Sequence, residues 1–561
     1  LMSEMFCYQC QEAMRNTGCT AHKGMCGKPA DVANLQDLLV YLLKGISFWG
    51  SRGRGMGVYD DEADLFVAQA LFATITNANF DPERHIALIQ KAIQLRDSLR
   101  VRAQERCNQL HQSNCTGTGP DWAGWQPENY EIETLLAKGR TVGVMADPTL
   151  DEDVRSLREL IIYGLRGIAA YVDHAYVLGA RDASILAFMQ EALDATTNKD
   201  FGVKELLGVV QKTGEFGIKA MALLDQANTS RYGNPEPTQV NLGVRPGPGI
   251  LVSGHDLLDL DELLQQTEGT GINIYTHGEM LPTNAYPELK KYSHLAGNYG
   301  GSWWKQSKEF TAFGGPILMT TNCIVPVKEA YKDRIFTTGM AGYPEVPHIA
   351  DRKPGEQKDF SAIIALAKTC AEPEELETGT IPIGFAHNTV LSVADKVIEA
   401  VKSGAIKRFV VMGGCDGRHK ERQYYTDVAL ALPQDTIILT SGCAKFRYNK
   451  LGLGEIGGIP RVLDAGQCND SYSLIVIAQA LAEAFDCSVN ELPLSFDIAW
   501  YEQKAIIVLL ALLSLGVKKI RVGPTLPAFL SPNVTKVLVE AFELKPIDTV
   551  EADVPAMMAG A

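Results

Sequence analysis

The sequence predicts a multidomain α and α/β protein, with N-terminal helical bundles followed by two Rossmann-like α/β domains whose sheets are mostly parallel. Three observations predict this. Apolar residues recur with a period near 3.6 through the first part of the chain. Beyond the loop NPEPTQVNLGVRPGPG, short β-branched runs alternate with helical ones, the pattern of α/β units. A length of 561 residues favours several domains, each with its own core.

Taken in order, Asn34 to Trp49 places Leu35, Leu38, Leu39, Leu42 and Leu43 on one face of a helix. The same periodicity returns at Glu62–Thr76, Pro82–Leu110, Glu152–Leu178, Ala183–Ala195 and Lys204–Asn228. The polar stretch Gln112–Asn129, with its Gly and Pro, divides these patterns into two bundles in tandem. Expected strands are Ile250–Val252, Ile272–Tyr275, Ile317–Thr320, Arg334–Thr337, Ile381–Phe385, Arg408–Met412, Thr436–Leu439 and Lys519–Val522. The acidic loop AEPEELETGT separates the sheets, giving expected domains at 1–234, 235–378 and 379–561.

The formal charge of −15 argues against a broad footprint on nucleic acid or anionic lipid. The strongest apolar run, AIIVLLALLSL from Ala505 to Leu515, is shorter than the roughly 20 residues of a bilayer span and reads as a buried core helix. LMSEMFCYQC has neither a basic nor an apolar signal region, so a cytoplasmic location is expected, with Met2 or Met5 as the native start.

Twelve cysteines in a long chain point to metal or redox chemistry rather than a disulfide framework. Cys7, Cys10, Cys19 and Cys26 form C-x2-C-x8-C-x6-C among glycines. Cys323, Cys415, Cys443 and Cys468 sit in the turns TTNC, GGCDG, SGCAK and GQCND. Cys107, Cys115, Cys370 and Cys487 lack such settings and read as ordinary thiols.

Functional groups in open parallel sheets gather beyond the carboxyl ends of the strands. There the expected strands run into His255, into Glu279 of THGE, and into Cys323, Cys415 and Cys443. Four cysteines with His and Glu exceed the four ligands of a structural zinc and fit a multinuclear iron centre with an open position for a small substrate. The N-terminal quartet reads as either a zinc knuckle or a [4Fe–4S] cluster, because C-x2-C is common to both. Other signals are weaker. GLGEIG at Gly452–Gly457 lacks a preceding strand and a following helix, so no dinucleotide site is expected there. Gly53, Gly55 and Gly57 read as a loop, and Trp303-Trp304 as packing. Without a nucleotide site, electrons must come from a partner protein.

These motifs resemble the hybrid-cluster (prismane) proteins over essentially the whole chain, from MFCYQCQEAMRNTGCT and GMCGKPADVANLQDLL to WYEQKAIIVLLALLSLGVKKIRVGPTLPAF. The resemblance implies a hybrid [4Fe-2O-2S] cluster held by one His, two Glu and four Cys. GHD gives His255, THGE gives Glu279, TTNC gives Cys323 and GGCDG gives Cys415. SGCAKFRYNK gives Cys443, GQCND gives Cys468 and SFDIAWYEQKA gives Glu502. Cys415 is then the position that carries an extra sulfur as a persulfide. The short Cys10–Cys19 interval resembles the branch with an N-terminal [4Fe–4S] cluster rather than [2Fe–2S]. The implied activity is reduction of hydroxylamine to ammonia and water, with nitric oxide as a further substrate. Glu502, Lys504 and His277, beside the ligand motifs, are candidate proton donors. Two rival readings are a nickel carbon monoxide dehydrogenase and a nitric oxide sensor that passes nitrosyl groups to partner thiols.

Overall fold

The computed structural model describes residues 4–561; the expected start at Met2 lies outside the described residues. Seven helices occupy the N-terminal region: α1 (Ala30–Gly55), α2 (Asp61–Ala73), α3 (Pro82–His111), α4 (Ile132–Gly139), α5 (Glu152–Val177), α6 (Ala183–Ala195) and α7 (Val203–Tyr232). Their starts follow from capping chemistry. Asp60, Asp81, Asp151 and Asp182 each accept a backbone N–H of the first turn with the side chain, satisfying donors that the helix itself leaves free. Leu35, Leu38, Leu39, Leu42 and Leu43 of α1 are fully buried. α1 packs on α3, α4 and α6, and α2 on α5, so the helices on either side of Gln112–Asn129 interleave around one core instead of standing in tandem. α1 also continues through Gly53 and Gly55, where a loop was expected.

Two parallel sheets follow. The first has the order β4-β3-β2-β5-β6, from β2 (Gly249–Ser253), β3 (Asn273–Thr276), β4 (Leu295–Asn298), β5 (Ile317–Met319) and β6 (Ile335–Thr337). The second has the order β12-β9-β8-β13-β14-β15, from β8 (Arg408–Val411), β9 (Thr436–Thr440), β12 (Val462–Asp464), β13 (Leu494–Ala499), β14 (Ile520–Gly523) and β15 (Lys545–Pro546). All pairings within both sheets are parallel. In each, the strand order reverses at the first strand, between β2 and β5 and between β8 and β13, which opens a crevice beyond the strand ends.

The expected strand near Ile381 joins neither sheet. β7 (Thr380–Ile383) pairs antiparallel with β1 (Thr238–Asn241), making a ribbon that ties the two α/β regions together. Its pairing partner lies more than a hundred residues upstream, so local β-propensity could not reveal the partner. The GLGEIG segment forms the small hairpin of β10 (Glu455–Ile456) and β11 (Ile459–Pro460). Cys107 and Cys115, read as free thiols, are joined by a disulfide: Gln112 takes a left-handed conformation at the end of α3 and turns the chain back, leaving the two Cα atoms 6.1 Å apart. The run Ala505–Leu515 lies largely in the core helix Gln503–Ser514, and among the described residues no helix is long and apolar enough to cross a membrane.

Candidate metal centres

Each of the seven residues assigned to the larger centre follows the carboxyl end of a parallel strand. His255 follows β2, Glu279 follows β3 and Cys323 follows β5. Cys415 follows β8, Cys443 follows β9, Cys468 follows β12 and Glu502 follows β13. All seven line one cavity between the two sheets. Thr76, Asn77, Trp303 and Tyr501 complete its wall.

Glycines let the loops close on one another. A Cβ at Gly414 (φ +111°) would sit 1.9 Å from the Ala499 carbonyl oxygen, and one at Gly442 (φ +80°) would sit 2.4 Å from that of Gly414. The Cys415 amide donates to Ala499 O at 2.9 Å and the Ala444 amide to Gly414 O at 3.0 Å, so the ends of β8, β9 and β13 form one hydrogen-bonded cluster of turns. Cys323 itself has φ +79°, a conformation few side-chain-bearing residues adopt; the Asn322 amide donates to its sulfur at 3.3 Å.

His255 Nε2 lies 3.2 Å from Glu279 Oε2, and His255 Nδ1 lies 2.7 Å from the Thr321 hydroxyl. Burial, then the Lys504 charge, lowers the His255 pKa to about 4, leaving a neutral imidazole at neutral pH. Burial would raise Glu279, but its hydrogen bond to His255, the Lys445 charge and the Cys468 amide outweigh this and hold it at about 2. Both groups are therefore in the protonation state that a metal ligand needs. The ligand atoms of His255, Glu279 and Cys468 lie within 4.8 Å of one another. Glu502 caps the helix Gln503–Ser514 by accepting from the Lys504 amide at 2.8 Å, and burial raises its carboxyl to about 7. Burial pushes the Cys415 thiol up to about 12 and those of Cys323, Cys443 and Cys468 well above the ordinary value. A bound metal ion would make thiolates of these four thiols.

The N-terminal quartet closes in two pairs. Cys7 and Cys19 exchange backbone hydrogen bonds at 3.1 and 2.8 Å, while Cys10 and Cys26 meet through their side chains. Gly18 and Gly27, both at positive φ, allow Phe6 and Pro326 to pack where a Cβ would stand. The quartet abuts the larger site. The Gln11 amide donates to Tyr501 O at 2.9 Å, so one hydrogen bond links the residue after Cys10 to the residue before Glu502. Arg422 donates to Gln11 Oε1, to Trp500 O and to Cys415 O at 3.0, 2.6 and 3.3 Å.

Buried cations test whether these residues fit anionic clusters. Arg96, Lys358 and Arg521 each hold a carboxylate. Lys28 and Arg166 beside the quartet, Arg422 between the two sites and Lys504 behind Glu502 are equally buried, yet among the described residues they pair with none. A buried charge without a counter-ion is costly. Thiolate-ligated clusters supply the missing negative charge, and seven mixed donors are too many for a structural zinc.

The other sequence candidates are placed as follows. Lys504 Nζ donates to Asn322 Oδ1 at 2.6 Å, next to Cys323. His277 does not line the cavity: Nδ1 contacts the Ser253 hydroxyl at 3.2 Å and Nε2 contacts Glu309 at 3.1 Å. Trp303 packs on Tyr501 and donates to Asp416 O, a packing role. Sequence reasoning missed two residues of α5. Tyr171 places its hydroxyl beside Cys468, and His174 stacks on His255 with ring centroids 5.8 Å apart. Their spacing of three marks one helix face, but nothing local says what that face meets.

The chain is 62% identical over 557 residues to a protein named hydroxylamine reductase from Halothermothrix orenii, covering 99% of this chain and all of the relative. It is 60% identical to one of the same name from Nitratidesulfovibrio vulgaris, again over 99% and 100% of the two chains. Carbon monoxide dehydrogenase IV from Carboxydothermus hydrogenoformans shares the fold, with a TM-score of 0.57 at 15% identity over 99% of this chain and 92% of that one. A family model spans residues 5–555, covering both cysteine sets and every strand end that carries a ligand, and by that match the chain belongs to the Prismane/CO dehydrogenase family.

Proposed function

We propose that this protein is an iron–sulfur oxidoreductase that reduces hydroxylamine with two electrons and two protons to ammonia and water. The observation that carries the reading is the meeting of His255, Glu279, Glu502 and four cysteines around one cavity. The full-length identity to relatives named hydroxylamine reductase supports the substrate. Bound in this cavity, a hybrid iron centre supplies Lewis-acid polarisation of the N–O bond and the electrons that cleave it.

The chain's own residues do the rest. Cys7, Cys10, Cys19 and Cys26 hold a [4Fe–4S] centre, in preference to [2Fe–2S], one hydrogen bond from the Glu502 loop. Electrons enter there from a redox partner protein. Of the three candidate proton donors, Glu502 lines the cavity and Lys504 stands behind it, so we assign proton delivery to these two. His277 has both ring nitrogens engaged, and its role is to hold the turn that presents Glu279. Cys415, 9% exposed at the cavity wall, is the position assigned to a persulfide, and nitric oxide is a second substrate small enough for the same site. The thiol-rich centres suit a reducing cytoplasm. Nucleic acid and membrane are not expected partners.

The carbon monoxide dehydrogenases share 14–16% of positions and so share the fold alone. Metal analysis on protein purified without oxygen separates the readings. Roughly eight irons per chain with acid-labile sulfide and sustained hydroxylamine turnover support the proposal. Stoichiometric nickel would replace it with the dehydrogenase reading, and a single turnover per site would replace it with a sensor.

A further inference from the structure

Behind Cys7, between α1, α5 and the loop at residues 142–150, lies a second cavity with about 180 Å³ open to water. Its wall carries Lys28, Lys44, Arg155, Arg158 and Arg166, opposed by Asp37, Asp147 and Glu159. Among the described residues, none of these eight groups lies within 4.0 Å of an opposite charge. The guanidinium groups are fixed by neutral acceptors: Arg155 donates to Asp147 O and Leu150 O, Arg158 to Asn198 O, and Arg166 to Gln9 Oε1 and Thr74 O. Lys28 donates to Gln36 Oε1. Lys44 Nζ has no hydrogen-bond partner among the described residues. Lys28 and Arg166 also face the quartet, which leaves Lys44, Arg155 and Arg158 as the cations proper to this cavity, in a chain whose overall charge is −15. Burial weakens the opposing negative charge by raising Asp37 to about 7 and by raising Glu159; it also lowers Lys44, as expected for an ammonium group lacking a counter-ion.

We propose that this cavity binds a small inorganic oxyanion of phosphate or sulfate size, held by Lys44, Arg155 and Arg158. The space far exceeds the roughly 15 Å³ that one water needs and falls short of the roughly 300 Å³ typical of pockets for larger organic ligands. A nucleotide is therefore excluded. Because Cys7 forms part of the wall, the bound charge is felt by the centre that the quartet holds. A negative charge beside that centre opposes the arrival of an electron, so the oxyanion lowers its midpoint potential. By reciprocity, reduction weakens oxyanion binding by the same factor. This second effect rests on the cluster reading above; the binding itself does not.

The test uses the holoenzyme, purified without oxygen and titrated with inorganic phosphate and with sulfate at constant ionic strength. Calorimetry reads binding, and EPR-monitored redox titration reads the N-terminal centre. Saturable one-to-one binding is expected, with a fall of about 59 mV in the one-electron midpoint for each tenfold loss of affinity on reduction. Lys44→Met should weaken binding at least tenfold, and Lys44→Arg should restore it. No saturable binding of either ion, equal binding by Lys44→Met, or the same response to chloride would overturn the site. Binding without a midpoint shift would overturn its link to the centre. Absence of an N-terminal EPR signal would strike the cluster reading instead, while calorimetry still decides the site.

Discussion

Replacing Gly414 by alanine tests the turn cluster most sharply. The added Cβ would stand 1.9 Å from Ala499 O, on backbone that cannot rotate away. The ends of β8 and β13 would have to part by about 1 Å, breaking the Cys415 amide's bond to Ala499 O and the Ala499 amide's bond to Gly413 O, at 2.9 and 3.0 Å. Each lost bond costs about 1 kcal/mol, or more where a buried group is left unpaired. Holding a side-chain-bearing residue at φ +111° adds about 1–3 kcal/mol. Together, roughly 3–6 kcal/mol bears on the loop that presents Cys415. The N-terminal quartet lies outside that loop. Gly414→Ala should therefore lose the iron and spectroscopic signature of the hybrid centre while keeping those of the N-terminal one. Anaerobic iron and sulfide analysis with EPR reads both, and wild-type iron content with both signals intact would refute the reasoning.

Cys443→Ala should likewise lose the hybrid centre and retain the N-terminal one; retention of both signals would remove Cys443 from the ligand set. Glu502→Gln should spare most of the iron yet lower hydroxylamine turnover by about 100-fold, the scale of a lost proton donor, and unchanged turnover would count against its role. Asp497 offers a pH test remote from the cysteines. Burial raises its carboxyl to about 7, with the Tyr424 hydroxyl donating to it at 2.8 Å. The folded state thus keeps a proton that the unfolded state has already released, so this group's contribution to stability falls as pH rises from about 4 to 7. Asp497→Asn should raise the unfolding temperature at pH 8 and change it little at pH 4, and an equal shift at both pH values would contradict the assignment.

The sequence displays its long helices through their amphipathic patterns, and α2, α3, α5 and α6 add an acidic cap, as α5 does at Asp151. It also displays His255, Glu279, Cys323, Cys415 and Cys443, since each follows a β-branched run and sits in a turn flanked by Gly or, for Cys323, by Asn. Cys468 and Glu502 are less legible. β12 is only three residues long, and β13, Leu-Ser-Phe-Asp-Ile-Ala, is buried on both faces although two of its residues are polar, so neither reads as a core strand from periodicity. Cys468 is marked only by its GQCND turn, and Glu502 by motif resemblance alone. The cavity wall contributed by Thr76 and Asn77, and the contacts of Tyr171 and His174, depend on tertiary packing between distant parts of the chain. The unpaired cations are equally hidden, because a lysine or arginine in sequence does not reveal whether a carboxylate will reach it.

Those cations and the helices that carry them hold together two cysteine sets far apart in sequence. α5 passes both: Arg166 donates to Gln9 between Cys7 and Cys10, while Tyr171 and His174, further along the same rod, meet Cys468 and His255. From the other side, Gln503 Nε2 donates to Gln9 O at 2.8 Å and Gln503 Oε1 accepts from the Thr76 amide at 2.9 Å, beside Glu502. Arg422 then spans Gln11 and Cys415. A shift of either cysteine loop would break hydrogen bonds to fully buried groups, each left without water to replace them. The separation of the two cysteine sets is thereby fixed by these polar contacts.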